Sequence, residues 1–466
     1  MTELVQPESI RHLSGFGFST SADSYVIRVS SQADLAKVYH LAKHSGRKLC
    51  FRAGGRSYGD ANYLSEEIVV DLSPMNRIIE WNQGKGVIEA EPGVTIEQLW
   101  QKTLPDGFWP PVVPGTMFTT IGGALAMNIH GKNHFKEGSL AEHVVELDIL
   151  IADGKTLKLK PSDELFNIVI GSAGLLCAIT RVVLKMHSVK SGELRVVPIP
   201  CKNWQEQFQA FENHMSDSDY LVGWVDCFSR GSKAGRGIVH KADYADTSPE
   251  TLKLQAQSLP SKVAGIIPKS SAWKFLRPLN NRTGMRFLNA AKNAAGKLST
   301  KPYHQSLVAF SFLLDYVPGW QKAYEPCGFI QFQPFVPRDK APEVFQKLVE
   351  MQQEAKMENF LAVLKRHKPD PFLLSYALDG YSLAMDFKVY QGRWKELEML
   401  CQRMTEVVLD AGGRFYWAKD STLRPTDVER YLGPHLNEFR RFKAELDPNS
   451  ILSSSLARRL ELFPEA

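Results

Sequence analysis

The 466-residue chain predicts an α+β fold in two domains, closed by a C-terminal segment. Three observations carry that expectation. The length exceeds what one hydrophobic core usually serves. The first part alternates short apolar strands with amphipathic stretches around two glycine-rich loops. The second part runs as strands with two long helices, the pattern of an antiparallel sheet carrying helices on one face. The expected divisions are residues 1–190, residues 191–420 with an insertion at about 245–302, and residues 421–466.

Taken in order, residues 25–29 form a strand, and residues 31–45 carry helical spacing with Leu35, Val38, Tyr39 and Leu41 on one side. Leu49-Cys-Phe-Arg52 leads by strand into the first loop. Ile68-Val-Val-Asp-Leu72 is a buried strand, and residues 86–93 make another that ends in a turn. Thr95 is placed to N-cap a following helix. Residues 121–127 form a short helix entered through Gly122 and Gly123. Residues 144–151 and 156–159 pair across Asp153-Gly154 as a hairpin, and residues 171–186 close the unit. Further on, strands are expected at residues 221–228, 308–315, 360–364, 382–389 and 414–418, with helices at 341–355 and 393–411. Residues 329–336 alternate, which puts Gln331 and Gln333 on one face. The tail comprises residues 434–446 and 451–462.

The chain is organised around residues 114–134, where Gly115, Gly122, Gly123 and Gly131 sit among small or β-branched residues without an acidic side chain. Glycine lets backbone N–H groups approach a phosphate closely, although a single such loop is equally an ordinary turn. A second loop of the same kind lies upstream, Arg52-Ala-Gly-Gly-Arg-Ser-Tyr-Gly-Asp60. Two backbone cradles suit a long diphosphate cofactor better than a mononucleotide. A helix starting near residue 121 would aim its positive end at that diphosphate.

Composition removes several function classes. A net charge of +5 is mild for this length and does not call for nucleic acid. Six scattered cysteines, without a CxxC pair or Cys/His ligand spacing, argue against a metal site or a disulfide framework. The N-terminus lacks a signal-peptide pattern, and no apolar run reaches the ~20 residues needed to span a bilayer. The expectation is a protein in the cytoplasm or peripheral at the inner membrane.

Both loops resemble the FAD-binding domain of the vanillyl-alcohol-oxidase (PCMH-type) flavoprotein superfamily. His130-Gly-Lys-Asn-His134 and the C-terminal half resemble the decaprenylphosphoryl-β-D-ribose 2′-oxidases. The resemblance spans most of the chain and is weakest between about residues 245 and 301. It implies a two-domain PCMH-type fold whose tail packs back on the FAD domain. It implies FAD contacts from Arg52, Ala53, Gly54, Gly55, Arg56, Ser57, Tyr58, Gly59 and Asp60 in the first loop. From the second it implies Gly115, Thr120, Ile121, Gly122, Gly123, Met127, Asn128, Ile129 and His130, with Ile179 and Tyr416 from elsewhere. Many superfamily members join FAD to a histidine in a Gly-His-Ser pattern. Here Gly55-Arg56-Ser57 has arginine at that place, so non-covalent FAD is expected.

Oxidising an alcohol on a flavin needs the carbinol held at a fixed angle and a group to take the hydroxyl proton. Lys419, in the apolar stretch Arg414-Phe-Tyr-Trp-Ala-Lys-Asp420, is either an inward lysine with a lowered pKa or a surface strand lysine paired with Asp420. The match of Tyr416-Trp-Ala-Lys-Asp420 to the family implies that Lys419 meets substrate and flavin. His130 is a flavin neighbour or a backbone-bonded loop histidine, and Tyr58 an active-site aromatic or a residue packed under its loop. Lys132 is a point charge suited to a substrate phosphate. Gln331 and Gln333 face either sugar hydroxyls or water; the family implies that they and Lys365 line the substrate pocket. Ser382 and Ala384 stand where mycobacterial-type members have Asn and Cys, and Ser311 where a tyrosine is expected. Ser382 is carried as a substrate contact, and the missing cysteine predicts indifference to cysteine-directed inhibitors.

The implied reaction is oxidation of the 2′-hydroxyl of a polyprenylphosphoryl ribose to a ketone, with oxygen or a quinone taking the electrons. An NAD(P)H-dependent short-chain ketoreductase partner would complete epimerisation to arabinose for cell wall arabinan biosynthesis. Alternatives are an aldonolactone or alditol oxidase acting on a soluble sugar, a non-catalytic flavin-binding protein, and a binding module without flavin. Between Leu252 and Pro302 stand ten Lys and Arg and no Asp or Glu, interspersed with Ile266, Ile267, Trp273, Phe275, Leu276, Phe287 and Leu288. That segment is either a solvated loop or an amphipathic surface for anionic lipid.

Overall fold

The computed structural model describes residues 7–259, 261–263 and 267–463; residues 1–6 and Ile266 of the basic segment lie outside them. The architecture is α+β. A four-stranded sheet runs in the order Ile10–Ser14, Ser21–Arg28, Ile68–Asp71, Leu49–Arg52, its last three strands parallel. The helix Gln32–Ser45 packs on it through Leu35, Val38, Tyr39 and Ala42. Ser31 starts that helix by accepting the Asp34 N–H at 3.1 Å, and Gly46, at φ 70°, ends it. A five-stranded antiparallel sheet follows, in the order Ile78–Asn82, Val87–Ala90, Ala178–Lys185, Val144–Leu150, Thr156–Leu159. Thr95 caps Ile96–Thr103 in a capping box with Gln98, so that helix begins where the sequence placed it.

A nine-stranded antiparallel sheet makes the third layer, with Leu361–His367 and Gly380–Lys388 near its middle. Helices Trp204–His214, Ala341–Glu354 and Trp394–Asp410 bury their apolar stripes against one of its faces. The other face looks towards the two glycine loops.

Three elements differ from the sequence expectation. Residues 308–315 are a helix, Leu307–Ser311, and a 3-10 turn, Leu313–Asp315, instead of a strand. Ser306 caps the helix, and Asp315 accepts from Thr116 Oγ1 at 2.8 Å and Met117 N–H at 2.7 Å. The apolar run is thus drawn into a clamp on the second glycine loop. Residues 329–336 split into Phe329–Phe332 and Pro334–Pro337, both paired with Gly380–Lys388; Pro334 has no N–H to continue a ladder. Residues 414–418 keep only Arg414–Phe415 as strand, then turn at Trp417–Lys419.

The basic segment forms two helices, Lys269–Leu279 and Arg282–Leu298. Its charges have different fates. Arg282 pairs with Glu358 at 2.7 Å, Arg277 with Glu325 at 3.5 Å, and the Lys269 ammonium sits 3.6 Å from the Tyr316 ring centroid. Lys274, Arg286 and Lys297 are exposed beside exposed Phe275 and Phe287. No helix among the described residues is long and apolar enough to cross a membrane.

The C-terminal stretch returns to the first sheet, where Leu49 N–H donates to Ile451 O and Ser453 N–H to Leu49 O. Arg459 then joins two distant places. Its guanidinium donates to both Asp60 oxygens at 2.7 and 2.9 Å, to Asp420 at 2.8 Å and to Leu423 O at 2.8 Å. Both carboxylates are buried, so removing the cation strands them. Arg459→Met is expected to lower unfolding free energy by ~3–5 kcal/mol in denaturant titration, with Arg459→Lys intermediate.

Candidate active site

Between the glycine loops and the open face of the large sheet lies a cavity of about 520 Å³. Residues 52–58 of the first loop line it, as do Gly115, Thr120, Gly122, Gly123, Met127, Ile129 and His130 of the second, together with Ile179. The first loop holds its shape through Arg52, which donates to Ser14 O and to Asn62. Gly55 sits at φ 61°, and a Cβ there would lie 2.6 Å from the Arg52 guanidinium.

The sheet supplies the opposite wall by simple alternation. His240 points inwards from one strand, Val222 and Trp224 from the next, then Leu361, Val363 and Lys365, then Ala384 and Asp386, then Gln331 and Gln333. Register aligns Asp386 with both Leu361 and Gln331. Lys419 enters from its turn, because Tyr58 N–H donates to Ala418 O at 2.8 Å. Its ammonium lies 3.5 Å from the Tyr58 ring centroid.

Of the residues singled out in the sequence, Lys132, Gln331, Gln333, Lys365, Tyr416, Tyr58 and Lys419 all line this cavity. Five do not. Gly59 packs on Asp420, where a Cβ would stand 2.0 Å from the carbonyl oxygen, and Asp60 is held by Arg459. The Ile121 side chain is in the core, and Asn128 turns its amide to Asp370 at 3.0 Å. Ser382 lies behind Gln333, bonded to His367 at 2.7 Å. At the start of the short helix Ile121–Ala126, the Ile121 and Gly122 N–H groups donate to Val94 O and Pro92 O. Asp420 bonds Arg459, so it is not the partner of Lys419.

Asp386 was not anticipated, although it shares the period-two face of Ser382 and Ala384. Burial pushes its carboxyl up and pulls the Lys419 amine down, while their mutual attraction opposes both shifts and nearby Lys365 lowers Lys419 further. Burial thus favours the neutral form of each. Gln331 donates to Asp386 at 2.5 Å. Burial also lowers Lys365 to about 8 and, with Lys365 close by, Lys132 to about 7. Lys132 donates to Phe310 O and, at 3.4 Å, to Ser311 O.

His130 is held neutral and in one tautomer. The Tyr376 hydroxyl donates to Asn128 O, so His130 Nδ1–H donates to Tyr376 Oη at 3.0 Å. Its Nε2 then accepts from Gln333 at 3.1 Å. Burial keeps the ring well below the usual histidine range, and the cations of Lys365 and Lys419 add to this. His134 and His367 pack against it with ring centroids 6.1 and 5.2 Å away.

These residues fit FAD. Arg56 Nε and Thr120 Oγ1, both at the loops, are buried without a protein hydrogen-bond partner among the described residues. Leu72, Val169, Met127, Cys177 and Ile179 give the same cavity apolar walls suited to planar rings. Residues 24–160 match the family described as FAD binding domain, and residues 327–460 the family described as D-arabinono-1,4-lactone oxidase. The protein is an FAD-dependent oxidoreductase with a PCMH-type fold.

Whole-chain comparison narrows this. Over 98% of its length the chain is 30% identical to the decaprenylphosphoryl-β-D-ribose oxidase of Mycolicibacterium smegmatis, covering 99% of that protein. It is also 30% identical, over 97% of its length and 86% of the relative, to a putative D-arabinono-1,4-lactone oxidase of Neurospora crassa. Identity is 21%, over 95% of the chain and 97% of the relative, to L-gulono-1,4-lactone dehydrogenase of Mycobacterium tuberculosis. The chain belongs to the family of FAD-dependent sugar oxidoreductases that contains the Mycolicibacterium enzyme.

The buried histidines set an acid limit. Burial lowers His134 from 6.5 to about 3, so between those values the unfolded chain binds a proton that the folded one refuses. Stability therefore falls as pH drops below about 6.5, at up to ~1.4 kcal/mol per unit for each such histidine. Denaturant titrations from pH 7 to 5 should show a shallower loss in His134→Asn than in the parent.

Proposed function

We propose that the enzyme oxidises the 2′-hydroxyl of a polyprenylphosphoryl-β-D-ribose to the ketone. The observation that carries this reading is one sheet face bearing Gln331, Gln333, Lys365 and Asp386 opposite Lys419 and the glycine loops. The glutamine amides and Lys365 supply donors and acceptors for sugar hydroxyls. Lys419, its proton affinity lowered by burial, takes the hydroxyl proton. Tyr58 keeps the Lys419 amine in place from one side. FAD held by the two loops would supply the hydride acceptor, with oxygen or a quinone as the final electron acceptor. Arg56 occupies the first loop between the Phe16 and Phe118 rings, where it offers no nucleophile, in keeping with FAD held non-covalently.

A keto sugar on a lipid carrier must next be reduced on its other face to yield arabinose. That step calls for an NAD(P)H-dependent short-chain ketoreductase partner and places the pair in cell wall arabinan biosynthesis. The lactone-oxidase match over residues 327–460 supports a second reading, oxidation of a soluble aldonolactone. A neutral lactone leaves the basic residues of the cavity without a counter-charge. The lipid-linked reading also gives the exposed Lys274, Arg286, Lys297, Phe275 and Phe287 a surface, that of an anionic membrane.

Anaerobic mixing of the flavin-loaded enzyme with candidate sugars tests the reading. Polyprenylphosphoryl ribose should bleach the flavin absorption, and arabinono- and gulonolactones should not; the reverse pattern would establish the lactone oxidase. Lys419→Met should slow bleaching by about 10²–10⁴-fold while keeping FAD. Replacing Arg286 and Lys297 by Gln should each weaken binding to anionic vesicles about fivefold, at ~1 kcal/mol per charge, with bleaching by a short-chain substrate unchanged.

A further inference from the structure

The helix Arg282–Leu298 lies on the large sheet at a height set by Gly296, where a Cβ would stand 2.1 Å from Ile238 Cδ1. One turn earlier on the same helix face is Lys292, and two residues further along the strand, on the same sheet face as Ile238, is His240. Trp224 is the cross-strand partner of Ile238, so the close contact at Gly296 sets Lys292, one helical turn back, over Trp224 and one strand from His240. The Lys292 ammonium lies 4.5 Å from the Trp224 ring centroid, and Lys292, His240, Trp224 and Lys132 line one cavity.

We infer that Lys292, His240 and Lys132 form an anion subsite for the phosphodiester that joins the sugar to its lipid, so that the basic helix is part of substrate recognition. The inference rests on the lipid-linked reading above. Among the described residues lining the cavity, Asp386 is the one carboxylate, and it faces Lys419 at the other end. The end near Lys292 therefore gathers cations without an acid. Surrounding protein lowers Lys292 to about 8, although its side chain keeps an exposed surface on the cavity. Burial, then Lys292 and Lys132, lower His240 to about 4. An anion between them relieves that mutual repulsion, whereas a neutral sugar does not.

Binding separates this from the choice of substrate. Farnesyl phosphate and farnesol are titrated into the flavin-loaded enzyme, and the shift of the flavin spectrum gives each affinity without turnover. The phosphate should bind at least tenfold more tightly than the alcohol, and Lys292→Ala should remove most of that preference, with Lys292→Arg restoring part of it. Lys301→Ala, an exposed lysine beyond the helix, should leave it intact. A preference that persists undiminished in Lys292→Ala and His240→Ala overturns the subsite, whatever the enzyme oxidises. A Lys292-dependent preference in an enzyme that bleaches only with lactones keeps the subsite and removes the ribose substrate.

Discussion

One guanidinium holds the active site together. Arg459, near the end of the chain, ties the first glycine loop through Asp60 to the turn after Lys419 through Asp420. The Tyr58 N–H to Ala418 O bond lies in the same seam, as does the contact of Gly59 with Asp420 O. The Tyr58 ring can stay under the Lys419 ammonium because backbone on both sides is fixed. A buried charge network of this kind adds little net stability against an apolar equivalent. What it adds is registration, since an apolar plug would not dictate which backbone atoms meet. The return of the chain's tail to its first sheet is thus a condition of the chemistry at the far side of the cavity.

The second constraint is desolvation. Lys132, Lys365 and Lys419 point into protein, and each loses affinity for its proton. Burial causes all three shifts, Lys365 adds its repulsion at Lys132 and Lys419, and only at Lys419 does a carboxylate oppose them. A lysine in such a place is useful in opposite ways. Without a counter-ion it is a base near neutral pH; beside an anion it regains its proton and becomes a fixed positive charge.

Much of this was readable from the chain, and what was missed shares a cause. The glycine loops declared a diphosphate cofactor, and alternation in residues 329–336 put both glutamines on one side, even though Pro334 breaks the strand. The apolar neighbours of Lys419 left it either inward or at the surface, and the match of Tyr416-Trp-Ala-Lys-Asp420 to the family implied the inward one. Periodicity cannot say what lies across a cavity, so Asp386, on the same alternation as Ser382 and Ala384, went unnoticed until the register with Gln331 was seen. Asp315 is similar: its run reads as a strand because its side chains are apolar, but its carboxylate is claimed by Thr116 and Met117, about 200 residues earlier in sequence. Lys292 was counted among ten basic residues, and nothing local distinguishes it from Lys297 on the same helix. Only the close approach at Gly296 decides which of them turns inwards.

These constraints divide the cavity into two electrostatic ends. At the Lys419 end burial favours the neutral forms of a carboxyl and an amine, which suits a group that must collect a proton from a hydroxyl and release it later. At the Lys292 end cations face each other with no acid between them, which suits a group that must remain charged. If the whole wall carried carboxylates, the lysines would be protonated throughout and no base would remain. His240 and Asp386 stand three strands apart, ~14 Å across the sheet, so a charged substrate can dock at one end with little effect on the base at the other, and the separation follows from strand alternation and one close helix contact.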